Sequence, residues 1–192
     1  MFALFEPSET EIKNFLAAQQ DLPFSYKQVG ASKDKIPSGY PINHYRIQLG
    51  SGADTFARAK DAIQSWTMYK LQWTKLYPAD TPIAQGKVVC VVVNHRFCWS
   101  INPCRIVYVL EETGKIERYG FAFGTLPGHS EKGEERFTVE WHHADDSVWY
   151  ELLSFARPHH ILAKIGFPFV RLFQQKFSED SECAMLEAAG GK

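Results

Sequence analysis

Long apolar runs are missing from this sequence. Its most apolar stretch, "VVCVVVN" at 88–94, is too short to cross a bilayer as a helix and rich in β-branched residues that favour strands, so no transmembrane segment is expected. An excess of either charge is missing too. Lys and Arg number 21 against 22 Asp and Glu, for a formal net charge of −1, and the cations are scattered along the chain. Nucleic-acid binding would need a basic patch or stripe, so that partner is not expected. The first ten residues, "MFALFEPSET", lack the basic and long apolar regions of a secretory signal. The four cysteines (Cys90, Cys98, Cys104 and Cys183) form no CxxC pair and show no zinc-like spacing. They are expected to be reduced thiols in an intracellular, cytoplasmic protein.

Several catalytic signatures are also absent. "GSGADTF" lacks the third glycine of a dinucleotide fingerprint and follows no βαβ unit, and no P-loop occurs, so no nucleotide cofactor is expected. Ser100 and Ser154 sit in no nucleophile elbow. His142–His143 and His159–His160 are adjacent pairs, and neighbours on a strand point to opposite faces, so neither pair chelates a metal by itself. His143 with His129 and Glu134 is the remaining metal combination, weighed against polar exposure as the default; no metal is expected.

What is present suits a globular domain. The chain has 192 residues, 45% apolar and 14% aromatic, enough for one domain over 1–192 with a full core. In "PSETEIKNFLAAQQDLPF", Ser8 and Glu11 fit a capping box, and Ile12, Phe15 and Leu16 follow helical spacing. "FSYKQVG" and "NHYRIQLG" read as strands around a turn-rich segment. "GSGADTFARAKDAIQSWTMYK" is the clearest helix: Ser51 or Asp54 is expected to cap it, and Phe56, Ala59, Ile63, Trp66 and Tyr69 fall on one stripe. Residues 72–86 read as irregular.

Five strand-length segments follow: "GKVVCVVVN", "CWSINPCRIVYVLEE", "RYGFAFGTL", "ERFTVEWHH" and "SVWYELLSFA". Their connections are too short for parallel crossovers, which predicts an antiparallel meander. "HHILAKIGFPFVRLFQQKF" returns to helical period, with a kink or break expected at Pro168. The end of the chain, 178–192, is expected to fray. The fold class is therefore α+β, a curved antiparallel sheet with helices gathered on one face.

Three blocks carry a family resemblance. "FSYKQVGAS…PSGYPINHYRIQLGSGADTFARAKDAIQSW", "YGFAFGTLPGHSEKGEERF" and "SFARPHHILAKIGFPFVRLFQQKF" together resemble the family known as domain of unknown function nineteen-ninety. The resemblance runs from about Leu22 to Phe177, leaving 1–21 as a helical extension and 178–192 as a tail. More remotely, strands leading into the "ARP" corner and a long C-terminal helix are similar to the START and birch-pollen-allergen superfamily. That likeness implies a helix-grip fold, about six or seven strands gripping the C-terminal helix, with lipids, steroids or other apolar molecules bound in between. It brings no catalytic residues and no cofactor.

The candidate site centres on "RYGFAFGTLPGHSEKGEERFTVEW", residues 118–141. Gly124, Gly128 and Gly133 are more than a hairpin needs. One reading is turn chemistry: positive φ or close backbone approach at the glycines, with Glu134, Glu135 and Arg136 a solvated charge run. The other is the mouth of a cavity, at which Thr125, His129 and Glu134 converge and whose walls include Phe121 and Trp141. Trp99 and Tyr119 join these as ligand-binding candidates, although core packing is the default for such aromatics. Three functions follow: a binding or carrier module for an apolar molecule, an enzyme with His129 and Glu134 as acid and base, or a scaffold with a filled core.

Overall fold

The computed structural model describes residues 1–159 and 167–191. In chain order the elements are β1 (Phe2–Ala3), α1 (Glu9–Gln19), β2 (Ile42–Ser51), α2 (Ala53–Gln64), a 3-10 turn (Thr67–Tyr69), β3 (Thr74–Tyr77), β4 (Val88–Asn94), β5 (Trp99–Glu112), β6 (Ile116–Thr125), β7 (Glu131–His142), β8 (Ser147–Pro158) and α3 (Phe167–Ala188). The strands form one sheet in the order β2-β8-β7-β6-β5-β4-β3, with β1 paired to β5. Every recorded pairing is antiparallel. β4 to β8 are the predicted meander. Register shifts in β5 between Ile106 and Tyr108, and in β2 between Gln48 and Gly50, add the bend and twist a curled sheet needs.

Helices cover both faces, not one. α2, the 3-10 turn and α3 pack in the concave face, around Ile63, Trp66, Phe121, Phe137 and Tyr150. α1 lies on the opposite face, where Ile12 and Leu16 join Val88, Cys90, Val92 and Ile101. The cause is local: β4 is apolar at nearly every position, so both of its faces need cover. α1 carries the predicted capping box, Ser8 and Glu11 each satisfying the other's backbone N–H.

Other local expectations need correction. α2 has Gly52 at its N-cap with no side-chain cap bond, because Ser51 is the last residue of β2 and Asp54 lies inside the first turn. The helical stripe continues past Gln64, but the helix does not. Trp66 takes a left-handed φ of 57° and buries its indole, donating Nε1–H to the Thr81 carbonyl at 2.7 Å. Residues 72–86 contain a strand, β3. "FSYKQVG" contains none; it crosses the convex face of β6 and β7 as coil, held by side-chain bonds described below.

The C-terminal helix runs further than its periodicity suggests. Residues 160–166, including Gly166, lie outside the described residues. Pro168 falls at the start of the described part of α3, so the kink or break expected there turns on residues outside the described ones. The stretch expected to fray is the second half of α3, with Met185 and Ala189 buried in the core. Among the described residues no helix is long and apolar enough to cross a membrane.

Candidate functional site

Concave packing is uneven. Toward one end of the sheet the core is solid: Phe121, fully buried, lies 4.8 Å from the Trp66 ring and 5.4 Å from that of Phe137. Toward the other end, between the sheet and α3, lies a hollow of about 890 Å³. Its walls are mainly apolar, from Val91 and Val93 of β4, Phe123 of β6, Leu152 of β8, and Phe173 and Phe177 of α3. Two contacts set α3 over it. Phe177 stacks on Tyr69 with centroids 4.9 Å apart, and the Trp73 indole donates to Asp180 Oδ2 at 2.7 Å.

Polar groups enter this hollow at a few points. β7 presents Glu131 and Glu135, in phase with the buried Phe137 two residues on. The Tyr69 hydroxyl donates to Glu135 Oε2 at 3.0 Å, and the Gln174 amide donates to Glu131 Oε1 at 2.8 Å. Burial pushes the Glu135 carboxyl up to about 7, the neighbouring charge of Glu131 adding to it while the Tyr69 bond opposes it. Burial also raises Glu131, against the Gln174 bond and the charge of Arg171. Across the hollow, Asn102 donates to Ser100 Oγ at 2.8 Å and accepts from Ser130 Oγ at 2.9 Å.

The sequence candidates divide between this hollow and other places. Thr125 and His129 line it. The His129 Nδ1 accepts the Glu131 N–H at 2.9 Å, which puts the proton of the neutral ring on Nε2. Desolvation by burial holds this imidazole down to about 3. Trp99 lies beside the α1 cluster on the convex face, with Lys75 over its ring. Tyr119 and Phe121 are core residues. Trp141 packs on Phe56 and donates to Asp146 Oδ1 at 2.8 Å.

Glu134 also borders the hollow, but its carboxylate faces the other way. Its Oε2 accepts from the Tyr26 hydroxyl at 2.5 Å and from the Gly30 N–H at 2.7 Å. Its Oε1 accepts from the Ser32 N–H at 3.0 Å and from the Ser32 hydroxyl. These bonds tie the 26–32 coil to the convex face and account for the strand that "FSYKQVG" does not form. An acid–base pair of His129 and Glu134 is therefore not assembled, one being a weakly basic turn residue and the other a structural tie. His143 pairs with Glu117 at 2.8 Å instead of joining them. Among the described residues no cluster of three or more His, Cys, Asp or Glu is arranged to hold a metal.

The opening glycines serve close approach. Gly124 has an ordinary φ, and a Cβ there would overlap the Tyr26 ring; a Cβ on Gly133 would strike the Phe155 carbonyl of β8. Tyr69, Trp73, Glu131, Glu135, Phe173 and Phe177 are the site residues sequence reasoning passed over. A usable signal exists for two of them. Alternation back from Phe137 puts Glu135, Gly133 and Glu131 on the inner face, although the run "EE" invites reading as a solvated patch.

The sheet wrapped about a C-terminal helix is a helix-grip fold, shared with human STARD10. Human STARD10 superposes with a TM-score of 0.52 at 11% identity, over 97% of this chain and 81% of that one. The hypothetical protein jhp0584 of Helicobacter pylori gives 0.56 at 10% identity, over 87% of this chain and 96% of that one. In sequence, a UPF0548 protein of Dictyostelium discoideum is 34% identical over 209 aligned residues, covering 99% of this chain and 96% of that protein. The chain belongs to the family described as Domain of unknown function (DUF1990), whose model matches residues 25–184.

Proposed function

We propose that the hollow under α3 is a ligand cavity and that the protein binds or carries a small, mainly apolar molecule. The observation that carries this reading is a space of about 890 Å³ walled by aliphatic and aromatic side chains, with a few convergent polar groups. Close packing is the rule in protein interiors, and a space of this size is within the range of small-molecule sites. It favours a binding module over a scaffold with a filled core.

The test is saturable binding. Titration with N-phenyl-1-naphthylamine, a neutral apolar fluorophore, should give a saturating signal that Phe123→Trp or Leu152→Trp weakens by filling the space. Native mass spectrometry of protein purified from its host should show a co-purifying small molecule. No saturation together with no adduct would remove the reading.

A further inference from the structure

We propose that the ligand of this hollow carries a positively charged nitrogen on an apolar body, received by Glu135 and Glu131; this rests on the ligand-cavity reading above. The protein's other buried and half-buried acids on β7 and β8 are paired or fully hydrogen-bonded. Glu140 accepts from Arg118 Nε at 2.6 Å and Arg46 Nη2 at 3.2 Å. Glu151 accepts from Arg136 at 2.7 Å. Glu134, without an ion pair, has its four donors. Buried carboxylates are stable under such conditions, because a charge taken from water must be paired or hydrogen-bonded.

Glu135 and Glu131 are the exceptions. Neither makes an ion pair among the described residues. Among the described residues the Glu135 carboxyl receives one hydrogen bond, from a phenol at Oε2, and none at Oε1. Glu131 receives one, from a neutral amide. The charge of Arg171 of α3 acts on Glu131, but its guanidinium is turned to Asn43 Oδ1 at 2.6 Å and Gln174 Oε1 at 3.3 Å. Tyr69 from the 3-10 turn, Cys104 from β5 and Tyr150 from β8, all buried, face the two carboxyls and bring no positive charge. Arg96, His95 and His129 also line the hollow, and among the described residues none of them pairs with either carboxyl. Two acids on one strand face thus border a largely apolar space, neither of them ion-paired among the described residues.

An ammonium group answers both deficits. It brings up to three donors and one positive charge, so it can bond the free oxygen of Glu135 and neutralise the repulsion between the pair. Tyr69, Phe177 and Phe123 border the same space, and aromatic rings attract a cation. A fatty-acid carboxylate would instead add a third negative charge.

The test compares three ligands of equal chain length, decylamine, decanol and decanoate, below their micellar range. Each competes with N-phenyl-1-naphthylamine at about pH 8, where an alkyl amine is protonated. Decylamine should displace the probe at roughly tenfold lower concentration than decanol, the worth of one charge-assisted hydrogen bond. Decanoate should be the weakest. In Glu135→Gln the amine should lose most of that advantage while probe and decanol affinities hold, which reports an intact hollow. Should that variant fail to fold, Glu131→Gln and the ligand order on the unaltered protein still decide. Decanol or decanoate matching decylamine, or an amine preference surviving both substitutions, overturns the proposal and leaves the cavity reading standing. Absence of probe binding removes the cavity reading itself.

Discussion

The Tyr69 hydroxyl reaches across the hollow from the 3-10 turn to donate to Glu135 Oε2 at 3.0 Å, and it is the sole hydrogen bond that Glu135 receives among the described residues. The carboxyl, ordinarily near 4.5, is pushed up to about 7. A raised acid binds more protons folded than unfolded between those two values, so its contribution to stability falls as pH rises through that window and stays low above it. Glu135→Gln removes the titration and keeps an acceptor for Tyr69. Its melting temperature at pH 8 should exceed that of the unaltered protein by at least ~3 °C, and the difference should shrink toward pH 5. Parallel melting curves across this range would show that Glu135 is not the strained acid.

His129 works in the opposite direction. Its imidazole is held down to about 3 from 6.5, so the unfolded chain takes up a proton the native state refuses, and stability drains away as pH falls through that interval. His129→Asn retains an acceptor for the Glu131 N–H and cannot charge. Urea unfolding at pH 7 and pH 4.5 should show a smaller acid loss for this variant. His129→Ala, which orphans that N–H, should cost ~1–3 kcal/mol at neutral pH, more than a surface change. An Ala variant as stable as the parent would place the ring in solvent.

Glu134 is expected to matter for folding and not for binding. Glu134→Ala leaves the donors of Tyr26, Gly30 and Ser32 without their acceptor. A loss of at least ~3 kcal/mol is expected from stranding several buried donors together. Hydrogen exchange should quicken first at the Gly30 and Ser32 amides, before any change in β7 or β8. Unchanged protection there would contradict the tie.

Gly124 tests close approach against backbone strain. Its φ suits any residue, so the cost of Gly124→Ala comes from the Tyr26 ring that a Cβ would overlap. About 1–3 kcal/mol is expected, as for overpacking elsewhere. In a Tyr26→Ala background the same change should cost distinctly less, and a double-mutant cycle reads the difference. Additive losses would mean that the backbone, and not Tyr26, objects.

Much of this fold was legible in one sequence because its signals are local. Alternation and short turns marked β4 to β8, Ser8 with Glu11 marked the start of α1, and the stripe from Phe56 to Trp66 marked α2. Nearly unbroken apolarity in "VVCVVVN" also carried, unread, the fact that β4 is covered on both faces. The site was less legible. Aromatic content singled out Trp99, Tyr119, Phe121 and Trp141, yet size does not tell a wall from a core, and these four went to the core or the surface.

The identity of α1, α2 and β4 to β8 and the antiparallel meander were determined by the sequence alone, since propensity, periodicity and loop length act over a few residues; the helix-grip class came only through the family resemblance. Tertiary structure decided the rest. Glu131, Glu134 and Glu135 are near neighbours of one chemistry; alternation separates Glu134 from the other two, but only the curled sheet gives Glu134 the 26–32 coil as its partner and the other two a hollow to face. The hollow itself belongs to no single segment: it is the volume left where α3, anchored through Phe177 and Trp73, crosses a sheet whose curvature it does not fill. Long-range contacts set that volume, and no local pattern in the sequence encodes it.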